Sequence, residues 1–281
     1  PDTNTFLPFF TAANFLSYSN SLYVSRADAE NQNTAMALQD EEFVPGAPFK
    51  VRNEDHYFNS FFAASNSKIY FAARYPGAKG NSLKVAWCAN SNTISFTSWK
   101  YAPYFNKPPA TSAFVTANYN AGANDEMHIA VIDEDGLITG TANTVLERFP
   151  NVSKASNAKD ESGNSLYYRD VIYNQSKWVY VMGSDSITWG TAADGTFSYA
   201  GESSNGVSFT LGADATPTDG NVQTAYAQFA SSDNVDISLV MTAAHSPATA
   251  LNVLNLAGAR RDCVAFLSPS LANCQSSAPV S

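Results

Sequence analysis

The chain has 281 residues, 44% of them hydrophobic, and no run approaches the ~20 uninterrupted apolar residues a membrane-spanning helix needs, so membrane insertion is excluded. Its 16 Lys and Arg against 25 Asp and Glu give a formal charge of −9, a field that opposes a phosphate backbone and argues against nucleic acid as a partner. Only 15% of residues are charged; Ser, Thr, Asn and Tyr take their place, and such side chains are easier to desolvate against a broad protein contact or in a binding module.

The length suggests about two domains. Cys88, Cys263 and Cys274 form no Cys-x-x-Cys pair, and the first two sit in apolar runs, which reads as buried thiols in a reducing compartment. The chain opens on Pro1 with no charged-then-apolar leader and closes in a loop-like 275–281, so a piece trimmed from something longer is expected.

In chain order, Phe6, Phe9, Phe10, Ala13 and Leu16 fall at helical spacing, with Pro8 tolerated in the first turn, and predict a helix over 6–18. Leu22, Tyr23 and Val24 then read as a short strand. Residues 29–40 are polar and ambiguous, and Pro45, Gly46 and Pro48 break what precedes them, so a linker is placed here. From 49 to 211 the pattern is mostly β, with strands predicted at 69–73, 83–87, 94–99, 127–133, 137–146, 166–172 and 178–182. Asp135-Gly136 reads as the two-residue turn of a hairpin, and residues 160–163 as a second reversal. Residues 183–212, rich in Gly, Ser, Thr and Ala, read as short strands or a long surface excursion.

After Pro217 the texture changes. Thr218 or Asp219 caps a helix carrying Val222, Ala225, Tyr226 and Phe229 on one face. A strand over 235–241, a helix starting at Ser246-Pro247 and a strand over 263–267 follow. Strand, crossover helix, strand implies a parallel pair, which needs more sheet than the C-terminal residues supply. The predicted fold is therefore mixed α+β: a discontinuous α/β domain from 1–28 and 216–281, with a β-rich domain, 29–215, inserted between.

Catalytic patterns are missing. His56, His128 and His245 fall in no motif, and no Gly-x-Ser-x-Gly elbow exists. His245 lies between a strand end and a helix start, where open α/β sheets bind ligands, but an ordinary loop histidine is the plainer reading. Lys79 is followed by Gly80-Asn81 rather than Ser or Thr, which fails a phosphate loop. Asp133, Glu134 and Asp135 read as a hairpin tip rather than a calcium loop. Asn151-Val152-Ser153 and Asn174-Gln175-Ser176 fit the glycosylation pattern, as chance allows in an Asn- and Ser-rich chain. Glu147-Arg148 and Arg260-Arg261-Asp262 are charge pairs beside apolar strands, suited to salt bridges at an edge or a subunit contact. No catalytic, cofactor-binding or metal-binding residue is assigned, and no cofactor.

Three segments resemble contractile-tail sheath proteins of bacteriophages, especially the T4-like myovirus type. The first is Tyr75-Pro76-Gly77-Ala78-Lys79-Gly80-Asn81-Ser82-Leu83-Lys84-Val85, a glycine turn launching a strand, preceded by Val51-Arg52-Asn53-Glu54-Asp55. The second runs from Asp133-Glu134-Asp135-Gly136 through Val145-Leu146-Glu147-Arg148-Phe149 to Val152-Ser153-Lys154-Ala155 and Ala158-Lys159-Asp160. The third joins Val235-Asp236-Ile237-Ser238-Leu239-Val240 to Ala259-Arg260-Arg261-Asp262-Cys263-Val264-Ala265-Phe266-Leu267-Ser268-Pro269, with residues 15–26 as its N-terminal partner.

The resemblance implies a non-enzymatic structural protein of the virion tail, assembled in the host cytoplasm, that polymerises helically around the tail tube and contracts to drive the tube through the host envelope. Other sheath subunits, the tube protein, the baseplate and the tail terminator are the implied partners. Because the family's strand-lending arm and C-terminal domain are missing, the fragment alone is expected to be mostly monomeric. Glu147, Arg148, Arg260 and Arg261 are candidate inter-subunit contacts; Tyr75, Pro76, Gly77, Gly80 and Asn81 form the structural turn. A carbohydrate-binding or adhesin-like β module is the alternative, on the Tyr, Trp, Asn and Ser content of the middle. A degenerate hydrolase is a third reading, because sheath α/β domains resemble subtilisin in fold, but no matching Asp, His and Ser motif is present.

Overall fold

The computed structural model describes residues 6–38, 48–62, 68–89, 96–119, 124–183, 203–242, 245–269 and 274–275. In chain order the elements are α1 (Phe6–Leu16), β1 (Met36–Leu38), α2 (Glu54–Tyr57), β2 (Ile69–Ala73), β3 (Leu83–Ala89), α3 (Ala113–Asn118), β4 (Glu126–Asp133), β5 (Thr144–Ser153), α4 (Tyr168–Gln175), β6 (Val179–Val181), β7 (Ser203–Thr210), α5 (Asp219–Ala227), β8 (Leu239–Met241), α6 (Pro247–Arg260) and β9 (Val264–Phe266). The fold is mixed α+β. It divides into two compact units, one made of Pro1–Glu30 and Ala215–Ser281, the other of Asn31–Asp214. No described helix is long and apolar enough to cross a membrane.

The Asn31–Asp214 unit is built on a sheet whose described strands run β5-β4-β3-β7-β1-β2-β6, every neighbouring pair antiparallel. Alternation along β3 sends Val85 and Trp87 to one face, where they join Ile129, Val131, Phe71 and Phe209 under Tyr168 and Ile172 of α4. Ala86 and Cys88 point the other way, into a cluster with Trp99, Tyr101 and Phe105. Farther along the sheet, Met36, Ile69 and Tyr180 pack with Tyr57. The sheet is thus covered on both faces, and all eight residues of β4 are buried.

Several expectations are corrected. The described part of the 29–40 stretch, residues 29–38, is not a linker: Ala35, Met36 and Ala37 are fully buried, and β1 sits between β7 and β2. Its strand is too short for a visible alternation. Residues 166–172 do not form a strand. They enter helix α4, because Tyr168 and Ile172, four apart, bury one helical face against the sheet, and packing outweighs the aromatic and β-branched content. Phe96–Ser98 is a 3₁₀ turn rather than part of a strand; residues 94–95 lie outside the described set, as do Pro45, Gly46 and most of 183–212. The end of that last region is β7, in the middle of the sheet.

The β4–β5 hairpin forms, but not through a two-residue turn. Asp133 is fully buried, and its carboxylate accepts hydrogen bonds from Ser82 Oγ, the backbone N–H groups of Gly136, Ile138 and Thr139, and Thr139 Oγ1. So many local donors wind 134–143 into a wide loop, and β5 begins only at Thr144.

In the other unit, β8 and β9 pair in parallel with α6 as the crossover. Thr218 caps α5 in a capping box with Asn221; Ser246 caps α6, with Pro247 in its first turn. The strand expected at 22–24 is absent. Tyr23 and Val24 are 56% and 78% exposed, so they bury no strand face. Of 235–241 only β8 is strand. Cys88 is a buried thiol outside any disulfide, whereas Cys263 is half-buried and Cys274 exposed.

β5 carries a bulge opposite His128, where Pro150 and Asn151 stand in the gap between the Ile129–Phe149 and Met127–Val152 pairs and Asn151 takes a φ of 52°. His128, 1% exposed, pins it: Nδ1 accepts from Asn151 N at 3.0 Å, so Nε2 carries the proton donated to Lys107 O at 2.7 Å. The ring stacks on Phe105 at 4.5 Å. Burial pushes the His128 pKa down, against the opposing pull of the Lys107 carbonyl and Glu126. A group neutral in the fold but protonated in the unfolded chain below its ordinary pKa of about 6.5 removes stability as pH falls. The urea midpoint of the full chain is therefore expected to drop from about pH 7.5 to about pH 5.5. His128→Phe flattens that slope while lowering the unfolding free energy by roughly 1–3 kcal/mol, the effect of an orphaned Asn151 N–H.

Candidate functional site

The Tyr75–Val85 motif is the point where the Asn31–Asp214 unit closes on itself. Pro76 and Gly77 are buried, Tyr75 is 62% exposed, and a 3₁₀ turn, Ala78–Ser82, leads directly into β3. The two ends of the unit run side by side through an antiparallel bridge between Asn33 and Ala213. The motif clasps both. Gly77 N donates to Asn33 O at 2.8 Å, Gln32 Nε2 to Pro76 O at 3.3 Å and Ala78 N to Asp214 Oδ1 at 3.0 Å.

Asn81 makes the closest match to its partner. Its Nδ2 donates to Gly212 O at 2.9 Å while its Oδ1 accepts from Gly212 N at 2.8 Å, so one side-chain amide pairs both backbone groups as a neighbouring strand would. The approach leaves no room for a Cβ: at Gly212 it would stand 2.5 Å from Gly77 O, and at Gly80 2.8 Å from the Ala35 Cβ. Gly77 itself has φ 129° and ψ 166°, a region essentially reserved for glycine.

The far end of the motif meets the second resembling segment. Ser82 Oγ donates to Asp133 Oδ1 and accepts from Asp135 N and Leu137 N; Ser82 O accepts from Glu134 N; Lys84 pairs with Glu134. Burial alone would raise the Asp133 pKa, but the donors from Ser82, Thr139 and Ile138 outweigh it and hold the carboxyl below its usual range. Asp133 is thus an internal anchor, with Glu134 and the Asp135 backbone held against β3 and its lead-in turn.

The four charged candidates divide. Glu147 turns inward, accepting from Ser176 Oγ at 2.7 Å and Lys177 N at 2.6 Å, which fixes the α4–β6 turn. Arg148 is exposed on β5, the last strand of the sheet among the described residues, and donates to Tyr104 O at 3.0 Å, beside a shallow groove that Val145, Phe149 and Gln175 also line. Arg260 has a side chain only 1% exposed; it donates to Phe229 O, Val235 O and Asp262 and ties the end of α6 to the segment after α5. Arg261 is exposed and ends α6 with φ 64°.

The histidines do not converge. His56 lies in α2 and accepts from Arg52 N, His128 holds the β5 bulge, and His245 stands before α6, 6.2 Å from the Tyr226 ring. Among the described residues no group of three or more His, Cys, Asp or Glu is arranged to hold a metal. Sequence reasoning missed Gln32, Asn33, Gly212 and Asp214. They are polar or small residues far from the motif in sequence, and no local pattern marks them.

Gly77→Ala is expected to destabilise the chain by about 2 kcal/mol or more, since it forces an L residue into a glycine conformation and drives a methyl to 2.6 Å from Asp214 Oδ1. Tyr75→Ala, at an exposed position, is expected to stay within roughly 0.5 kcal/mol. Urea unfolding followed by tryptophan fluorescence checks both.

No protein-family model matches the chain. The tail sheath protein of Salmonella phage ViI is 24% identical over 145 residues, a match covering 52% of this chain and 19% of that protein. A crystal structure of a sheath tail protein from Listeria innocua aligns with 68% of this chain and 28% of its own at 12% identity, with a TM-score of 0.35. The chain therefore spans about a fifth of the curated relative it matches and is similar to part of a tail sheath protein.

Proposed function

We propose that the chain is a structural part of a phage contractile tail sheath. The observation that carries this is the 145-residue similarity to the Salmonella phage ViI tail sheath protein. The geometry agrees with a mechanical role. The motifs that prompted the sheath resemblance supply hydrogen bonds to the fold, and the polar groups at their centre, Asn81, Ser82 and Asp133, are spent on internal partners.

On this reading, the unit built from both chain ends is the α/β sheath domain and 29–215 is its outward insertion, in a protein of the T4-like type. Copies assemble helically around the tail tube, held between the baseplate and the tail terminator. Helical growth brings one face of a subunit against a different face of the next. Contraction exchanges such contacts while each unit moves as a rigid body. Glu147 and Arg260 are drawn into their own chain, whereas Arg148 and Arg261 are exposed and are the charges placed to set register between neighbours. No covalent bond is made or broken, and no cofactor is used.

Antibodies raised against the purified chain and visualised by gold-label electron microscopy are expected to decorate the tail shaft of the phage particles along its length, with the labelled zone shortening on contraction. Label confined to the capsid, the fibres or the tube tip would overturn the proposal.

A further inference from the structure

Asn205-Gly206 is the one Asn-Gly step in the sequence, and it lies in β7, the strand between β3 and β1. The register explains the glycine. β7 pairs Val207 with Val85 and Ser204 with Trp87, so Asn205 and Gly206 together face the single residue Ala86 and form a bulge. Gly206 takes a φ of 139°, and a Cβ on it would stand 2.4 Å from Cδ of Lys84, whose amine is paired with Glu134. The fold therefore calls for glycine directly after Asn205.

Glycine at that place has a chemical consequence. Asparagine is a thermolabile residue, and a following Cβ is what usually keeps the next backbone nitrogen away from its side-chain amide. Asn205 is exposed, so water reaches that amide. Its Oδ1 accepts from Lys100 N at 3.1 Å. A donor there polarises the Cγ–O bond and stabilises the oxygen as it gains negative charge. Asn151, in the β5 bulge, is followed by Val152, and Asn174, exposed at the end of α4, by Gln175; neither has glycine next to it.

We infer that Asn205 is a site of spontaneous covalent modification in the folded chain, with water as the co-reactant. The Gly206 nitrogen gives its proton to hydroxide and attacks Cγ of Asn205. The bond from Cγ to the side-chain nitrogen breaks, that nitrogen takes a proton from water and leaves as ammonia, and a five-membered succinimide closes. Water then opens the ring at either carbonyl, leaving aspartate or an isoaspartate whose main chain is one carbon longer. Over both steps one water is consumed and one ammonia released, with no oxidant or reductant. Either product sets a carboxylate on the central strand of the sheet, and isoaspartate also lengthens β7 where it pairs with β3. This chemistry is independent of the sheath reading.

The test is mass spectrometry of the full chain, held folded and warm at mildly alkaline pH and digested at intervals over weeks. The chymotryptic peptide 200–209 contains Asn205 as its single asparagine, and the tryptic peptides 149–154 and 170–177 report Asn151 and Asn174. Peptide 200–209 is expected to gain one mass unit, NH2 exchanged for OH, several times faster than the other two. The gain is expected to speed up as pH rises, because the Gly206 nitrogen must lose its proton, and part of the product to accept methyl groups from an isoaspartyl methyltransferase. Asn205→Gln, which could close only a slower six-membered ring, is expected to show no gain at that position. A folded chain whose 200–209 peptide changes no faster than the two controls, while the same chain in denaturant converts, overturns the inference, because the fold then shields the pair. A gain without isoaspartate, or one that persists in Asn205→Gln, overturns the succinimide route and the inference with it.

Discussion

A single carboxamide decides where the larger unit begins and ends. Asn81 offers Gly212 one donor and one acceptor at strand-like spacing, and it can do so only because Gly77, Gly80 and Gly212 lack the carbon that would hold the backbones apart. Two segments more than 170 residues apart in sequence are thereby held side by side through the Asn33–Ala213 bridge. The sheet then begins and finishes at one place, with β1 and β7 as central neighbours. Ordering such a long loop carries an entropic penalty that grows only slowly with its length. A few well-aimed hydrogen bonds can therefore define the junction.

How much could be read from the sequence depended on how local the signal was. Helices α1, α5 and α6 carried their own information: apolar spacing in α1, the Thr218 and Ser246 caps, and Pro247 in a first turn. β2 and β6 were visible as short apolar runs. β1 was not, because Met36–Leu38 is three residues long and becomes a strand only through neighbours supplied from far away. The α4 segment misled for a related reason. Its tyrosines and β-branched residues suit a strand, yet the half of them that fall four apart find a sheet face to cover. The wide loop after Asp133 shows the limit of turn rules, since Asp-Gly predicts a tight reversal only when no buried carboxylate nearby gathers the loop's N–H groups.

The candidate site was legible as a motif and illegible as a contact. The sequence shows a glycine turn followed by a strand; it does not show that the turn holds Gly212 and Asp214, or that Ser82 reaches Asp133. Charge pairs were equally opaque. Glu147 and Arg148 are adjacent in sequence and both charged, but strand alternation sends one into the fold and leaves the other at the surface. Arg260 and Arg261 part the same way at the end of α6, where a left-handed residue turns the chain.

Before its bridge from Ser153 to Tyr167, the outer side of β5 pairs with no strand among the described residues, and that bears on how the chain meets a second copy of itself. An uncovered sheet margin is a template on which a like margin can zip. Pro150 removes a donor from that margin, the bulge at Asn151 bends it, and the charge of Arg148 stands on it. Sheets so edged can be stacked shoulder to shoulder without fusing.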